Sequence, residues 1–216
     1  MTHDAVLQRI IDDRIIAIVR GVPKEKILDT ARAISDGGIR CLEITFDHES
    51  PNGERETLES IELLATHPEL GIMVGAGTVI EPAEVVRAKD AGAHYIVSPD
   101  TNPQVIELTR SLGLVSIPGA YTATEVLSAH KEGADIVKLF PAGLMGPSYF
   151  KALMGPLGFI KFSAVGNISK SNIRDFRDIG VTCFGIGGSL VDKKAIAAGE
   201  FHKITETAKG LMQALG

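Results

Sequence analysis

The sequence predicts an α/β fold, a single-domain (β/α)8 TIM barrel over residues 1–216. Three observations carry that reading. Short apolar runs recur along the chain, stretches with helical apolar spacing separate them, and glycines stand where several helices hand over to the next strand. An open doubly wound sheet is the competing arrangement. Eight strand-helix units without a Ser/Pro-rich linker or a break in composition favour closure into one barrel.

The strand candidates come in order. IIAIVR ends at Arg20, IRCLEIT covers 39–45, GIMVGAGT covers 71–78 and HYIVSP covers 94–99. LVSIPG (114–119), ADIVKLFP (134–141), FIKFSAVG (159–166) and VTCFGIGG (181–188) complete the set. Between them, KEKILDTARAISDGG at 24–38 has apolar residues at helical spacing, and EPAEVVRAKDAG opens with Pro82 at a first-turn position. Thr122 and Glu125 form a Thr-x-x-Glu capping pattern before VLSAHKEG. Gly37-Gly38, Gly92, Gly133 and Gly180 mark helix ends.

Composition narrows the class. With 44% hydrophobic residues the chain has enough apolar material to fold, and 22 basic against 27 acidic side chains leave a net charge of −5. No basic cluster offers a footprint for a phosphate backbone, so nucleic acid is not an expected partner. No apolar run is long enough to span a bilayer, and MTHDAVLQRIIDDR is too charged for a secretory signal. Cys41 and Cys183 lie far apart in apolar segments, which fits free thiols in a reducing cytoplasm.

A barrel makes a demand on function: active residues gather at the C-terminal ends of the strands. Polar and glycine departures do collect there, at Arg20-Gly21, Glu43 with Thr45, Gly75 to Thr78, Ser98-Pro99, Pro118-Gly119, Lys138, Gly166-Asn167 and Gly187 to Ser189. Strand starts are plainer, and this asymmetry points to an enzyme.

Lys138 stands in an apolar strand, where alternation places Ile136, Lys138 and Phe140 on one face and Val137 with Leu139 on the other. The lysine should therefore face the lumen. An unperturbed lysine is only about 0.04% free amine at pH 7, and burial raises that share by disfavouring the ammonium. Such an amine can form a Schiff base. Glu43, on the phase of Cys41 and Thr45, is the candidate proton carrier in the same lumen. The same two charges would also serve as an inert stabilising pair. Arg20, in phase with Ile16 and Ile18, offers a planar fork suited to a carboxylate, and Thr45 and Thr78 offer hydroxyls at the rim. Gly166, Gly187, Gly188 and Ser189 lie in the turns after the last two strands, where barrels often hold a phosphate on backbone N–H groups. The six histidines form no metal-binding spacing, and Asp47, His48 and Glu49 are the one acidic-histidine cluster.

In order, EIT (43–45), GAGTV (75–79), VSP (97–99), PGAYTATE (118–125), KLFPA (138–142) and GIGGS (185–189) resemble the class I pyruvate aldolases. These are the family of 2-keto-3-deoxy-6-phosphogluconate (KDPG) aldolase and 4-hydroxy-2-oxoglutarate (KHG) aldolase. The resemblance implies a (β/α)8 barrel, commonly a homotrimer, that takes a small 2-oxo acid and needs neither metal nor organic cofactor. It implies that Lys138 forms the Schiff base, that Glu43 transfers protons, and that Thr78, Pro99 and Phe140 shape the pyruvoyl pocket. Some relatives carry the carboxylate-binding arginine soon after the threonine of strand two, where this chain reads TFDHES. Others carry it at the end of strand one, so the role passes to Arg20. Many relatives have paired glycines after strand seven; here the pair is Gly166-Asn167. The expected activity is cleavage of KDPG to pyruvate and glyceraldehyde 3-phosphate, of KHG to pyruvate and glyoxylate, or both. The galactonate-derived epimer of KDPG is the alternative. A metal-dependent barrel enzyme using Asp47, His48 and Glu49, and a non-catalytic binding barrel, are the rival classes.

Overall fold

The computed structural model describes residues 1–216. Each apolar run forms a strand: β1 (Ile15–Val19), β2 (Cys41–Thr45), β3 (Met73–Gly77) and β4 (Tyr95–Val97) in the first half. The second half holds β5 (Val115–Ile117), β6 (Gly119–Ala120), β7 (Val137–Leu139), β8 (Phe162–Val165) and β9 (Cys183–Ile186). All neighbours are parallel, in the order β5-β4-β3-β2-β1-β9-β8-β7-β6. The nine segments are the eight predicted strands, because β5 and β6 are one run interrupted at Pro118. That residue has no N–H to give to a ladder. Its carbonyl still accepts from Lys138 N at 2.9 Å, and Phe140 N reaches Ala120 O at 3.2 Å. The first half of the run pairs with β4 and the second with β7, so the row of strands closes into a barrel.

Helices alternate with the strands: α1 (His3–Asp13), α2 (Lys24–Asp36), α3 (Gly53–Ala65), α4 (Pro82–Asp90), α5 (Pro103–Ser111) and α6 (Ala123–Lys131). Then come α7 (Ala142–Leu157), α8 (Ile173–Asp178), α9 (Lys193–Ala197) and α10 (Phe201–Leu215). The capping pattern at Thr122 is real: Thr122 Oγ1 accepts from Glu125 N at 3.3 Å, and Glu125 Oε2 accepts from Thr122 N at 2.7 Å. The predicted glycine helix ends at Gly92 and Gly133 have φ of 103° and 100°, in the left-handed region.

Alternation sorts the strand side chains into two cores. Outward residues such as Ile15, Ala17, Leu42, Val74, Val137, Phe162 and Phe184 pack beneath the helices in the larger core. The inward set, including Ile16, Cys41, Met73, Tyr95, Val115, Ile136 and Cys183, forms a smaller core joined by Val6 and Ile10 of α1. The N-terminal segment is thus a structural part of the barrel: α1 seats its apolar face against the lumen floor. Inside, the Tyr95 ring lies over β3 and donates from its hydroxyl to Leu42 O at 2.5 Å. A Cβ at Gly75 would come 2.3 Å from that ring, so only glycine fits there. Both cysteines are free and buried, and burial pushes the Cys183 thiol up to about 11.

Candidate active site

At the C-terminal ends of the strands lies a cavity of about 820 Å³, within the range of small-molecule sites. Lys138 from β7 and Glu43 from β2 enter it from different sectors of the wall. Both are buried, with 7% and 4% of their surface exposed, and both line the same cavity without a salt bridge or side-chain hydrogen bond between them. Burial pushes the Lys138 ammonium below the ordinary lysine range. The Glu43 carboxylate opposes that shift, while Arg20 adds to it. Burial pushes the Glu43 carboxyl above its ordinary range, against the pull of Lys138 and Arg20. The result is a lysine biased toward free amine beside a carboxylate biased toward accepting a proton.

Local sequence explains how the two fit. A Cβ at Gly77 would lie 2.5 Å from Glu43 Oε1, so the glycine of β3 makes the space its carboxylate occupies. The Phe140 ring centroid lies 5.5 Å from Lys138 Nζ, placing an aromatic face beside the amine. Gly185 leaves room where a Cβ would crowd Val165 Cγ2 at 2.8 Å and Ile18 Cδ1 at 3.2 Å.

Arg20, Thr78, Pro99, Phe140, Gly166, Gly187, Gly188 and Ser189 line the cavity together with the two central residues. Arg20 Nη2 donates to Thr78 Oγ1 at 2.9 Å. The start of α4 is capped by Glu84, whose Oε2 accepts from Ile80 N and Glu81 N at 2.8 and 3.0 Å, which leaves the Thr78 hydroxyl for the arginine. At the other end, Asn167 adopts φ 54° in the turn after β8, the left-handed geometry that asparagine tolerates. The backbone N–H groups of Asn167, Gly188 and Ser189 donate to no protein acceptor, while Ser189 Oγ donates to Ile168 O at 2.6 Å and ties the two loops together.

Thr45 is a correction: it does not line this cavity. At the last position of β2 its methyl stands beside Gly77, on the same side as the Glu43 carboxylate, while its carbonyl accepts from Thr57 Oγ1 at 3.0 Å at the edge of a separate space of about 50 Å³ between β2 and α3. Asp47, His48 and Glu49 do not converge either. Asp47 Oδ1 accepts from Glu49 N, while the His48 ring is engaged by Thr78 O and Glu84. Sequence reasoning missed Ile18, Val165, Ile168, Ser169 and Gly185 as lining residues. The apolar ones look like any other lumen residue, although strand phase alone puts Ile18 and Val165 above the inner core.

A family model described as KDPG and KHG aldolase matches residues 6–207. The chain belongs to this family. The KDPG/KHG aldolase chain is 37% identical over 190 residues to a probable 2-dehydro-3-deoxy-6-phosphogalactonate aldolase of Rhizobium meliloti, covering 88% of this chain and 86% of that one. It is 33% identical to a 2-dehydro-3-deoxy-phosphogluconate aldolase of Treponema pallidum, covering 94% of each. Among solved structures, a KDPG aldolase from Legionella pneumophila with pyruvate captured as a covalent carbinolamine matches with a TM-score of 0.82 at 27% identity over 98% of each chain. A further aldolase structure, named KDPGal, matches with a TM-score of 0.82 at 30% identity over 93% of each. As a member of this family the chain is a lyase with an aldolase's barrel. No helix is long and apolar enough to cross a membrane.

Proposed function

We propose that this aldolase works through an imine on Lys138, cleaving a phosphorylated 2-keto-3-deoxy six-carbon acid, a 4-hydroxy-2-oxo acid such as KHG, or both. The observation that carries the reading is the buried, unpaired Lys138 sharing its cavity with the buried Glu43. An ion pair kept for stability alone would bring the two head groups into contact; here they form no salt bridge and both face the same cavity.

Lys138 Nζ attacks the C2 ketone, and the carbinolamine loses water to give a cationic iminium. Glu43 accepts the proton of the C4 hydroxyl as the C3–C4 bond breaks, its electrons flowing into the iminium to form an enamine. The aldehyde leaves. Protonation at C3 and hydrolysis then release pyruvate and return the amine. Arg20 grips the substrate carboxylate, and Thr78, Pro99 and Phe140 enclose the pyruvoyl group. The free N–H groups around Gly166-Asn167 and Gly187 to Ser189 support phosphate at the distal end.

Borohydride reduction in the presence of pyruvate is expected to fix a reduced three-carbon adduct on Lys138, read by peptide mass spectrometry; an unmodified Lys138 would refute the assignment. Substrate choice is read separately, by pyruvate release from KDPG, its galactonate epimer and KHG. The phosphorylated six-carbon acids are expected to give the higher kcat/KM, and a clear preference for KHG would overturn the phosphate role of the distal loops. The galactonate epimer stays in the comparison because the Rhizobium relative is named for it. The reading extends to a homotrimer in the cytoplasm, supported by the family resemblance and, for the compartment, by two unpaired thiols.

A further inference from the structure

The loop after β2 carries a histidine that this chemistry leaves without a task. His48 does not line the cavity, yet its Nε2 donates to the Thr78 carbonyl oxygen at 2.9 Å. Its Nδ1 faces Glu84 Oε1 at 3.5 Å, and its ring lies nearly parallel to that of Phe46, with centroids 6.1 Å apart. Glu84 is a fixed post: it is 5% exposed, and its other oxygen accepts from the N–H groups of Ile80 and Glu81 just ahead of α4. His48, 36% exposed, is therefore flanked by Glu84 and Phe46 while it bonds one particular carbonyl.

Thr78 is the residue that needs holding. Its φ of 60° is left-handed, a strained conformation for a β-branched side chain that persists only where surrounding contacts enforce it. The Thr78 hydroxyl in turn accepts the Arg20 guanidinium at 2.9 Å. Arg20 is exposed at the end of β1 and has no carboxylate partner, so this bond is what selects one arrangement from the many that a free arginine samples.

We propose that His48 is a positioning residue for the substrate carboxylate: by fixing Thr78 in its left-handed conformation it sets the hydroxyl that holds Arg20 over the cavity. The inference rests on the imine reading, in which Arg20 grips the carboxylate of a 2-oxo acid. It concerns binding of a charged substrate and leaves the amine chemistry alone.

The test is borohydride trapping across a range of pyruvate concentrations, with pyruvamide as the matched ketone lacking the negative charge. His48→Ala is expected to raise the half-saturating pyruvate concentration about tenfold, the scale of a lost charge-assisted contact, with the maximal trapping rate and the response to pyruvamide unchanged. His48→Gln, which keeps an N–H donor at the end of its side chain, is expected to restore most of the affinity. Arg20→Ala should raise the pyruvate requirement further, and adding His48→Ala to it should change nothing more. Equal losses for pyruvate and pyruvamide, an unchanged half-saturation in His48→Ala, or an undiminished His48 effect in the Arg20→Ala background would each overturn the role of His48. A wild-type chain that pyruvate and borohydride fail to modify would instead overturn the imine reading itself.

Discussion

Lys138→Met is expected to lower pyruvate release by roughly four orders of magnitude or more, because no other group in the cavity supplies a nucleophilic amine. The fold should survive. Methionine matches the reach of the lysine stem and fills the same buried strand position without a charge to desolvate. Stability tests the electrostatic argument as well. The folded-state pKa of Lys138 lies below its unfolded value, so the cost of burying the ammonium acts in full below the folded value and lifts as the pH rises toward the ordinary lysine range. Removing the lysine relieves that cost at neutral pH, but it also takes from Glu43 the cation that opposes its upward shift. The two changes oppose each other, and Tm at pH 7 is expected to stay within about 5 °C of wild type. Turnover that persists in this variant would sink the imine assignment, and a collapsed circular dichroism spectrum would show that Lys138 serves the fold first.

Glu43→Gln is the second large effect. Gln keeps the size of the side chain in the space that Gly77 provides, but it cannot accept the C4 hydroxyl proton. Aldol cleavage is expected to fall about 10²- to 10⁴-fold, the usual weight of a positioned acid–base group. Pyruvate should still be fixed on Lys138 by borohydride, more slowly, since the amine remains buried beside Arg20. Loss of cleavage with retention of the adduct separates proton transfer from imine formation. Equal loss of both would assign Glu43 to holding Lys138, and unchanged cleavage would remove it from the mechanism.

Much of this site is legible in the sequence because a buried parallel strand leaves few places for polar residues. Lys138 in an apolar run and Glu43 in CLEIT stand out, and two-residue alternation is enough to aim both inward. Arg20 follows by the same counting. The outward core of Ile15, Leu42, Val74 and Phe184 reads equally directly. Other features depend on closure. The apolar face of α1 is only two buried residues, Val6 and Ile10, amid charged ones, and it becomes core only once the strands make a floor for it to cover. The division of one run into β5 and β6 at Pro118 arises because its two halves serve different neighbours. Thr45 has the right phase yet is not among the lining residues, since phase fixes which side of the strand a residue takes and says nothing of whether a neighbour covers it. In the sequence His48 stands out only as part of an acidic cluster; its bond to the Thr78 carbonyl joins loops thirty positions apart.

The helix seated beneath the lumen makes the barrel a cul-de-sac. With one end stoppered by Val6 and Ile10, traffic enters and leaves past Phe140 and the loops around Asn167 and Ser189. On the imine reading, the three-carbon fragment left on Lys138 lies at the blind end of this route. The covalent tether then sets the order of departure: aldehyde first, pyruvate last. In the synthetic direction the sequence reverses, and pyruvate must be loaded before its partner arrives.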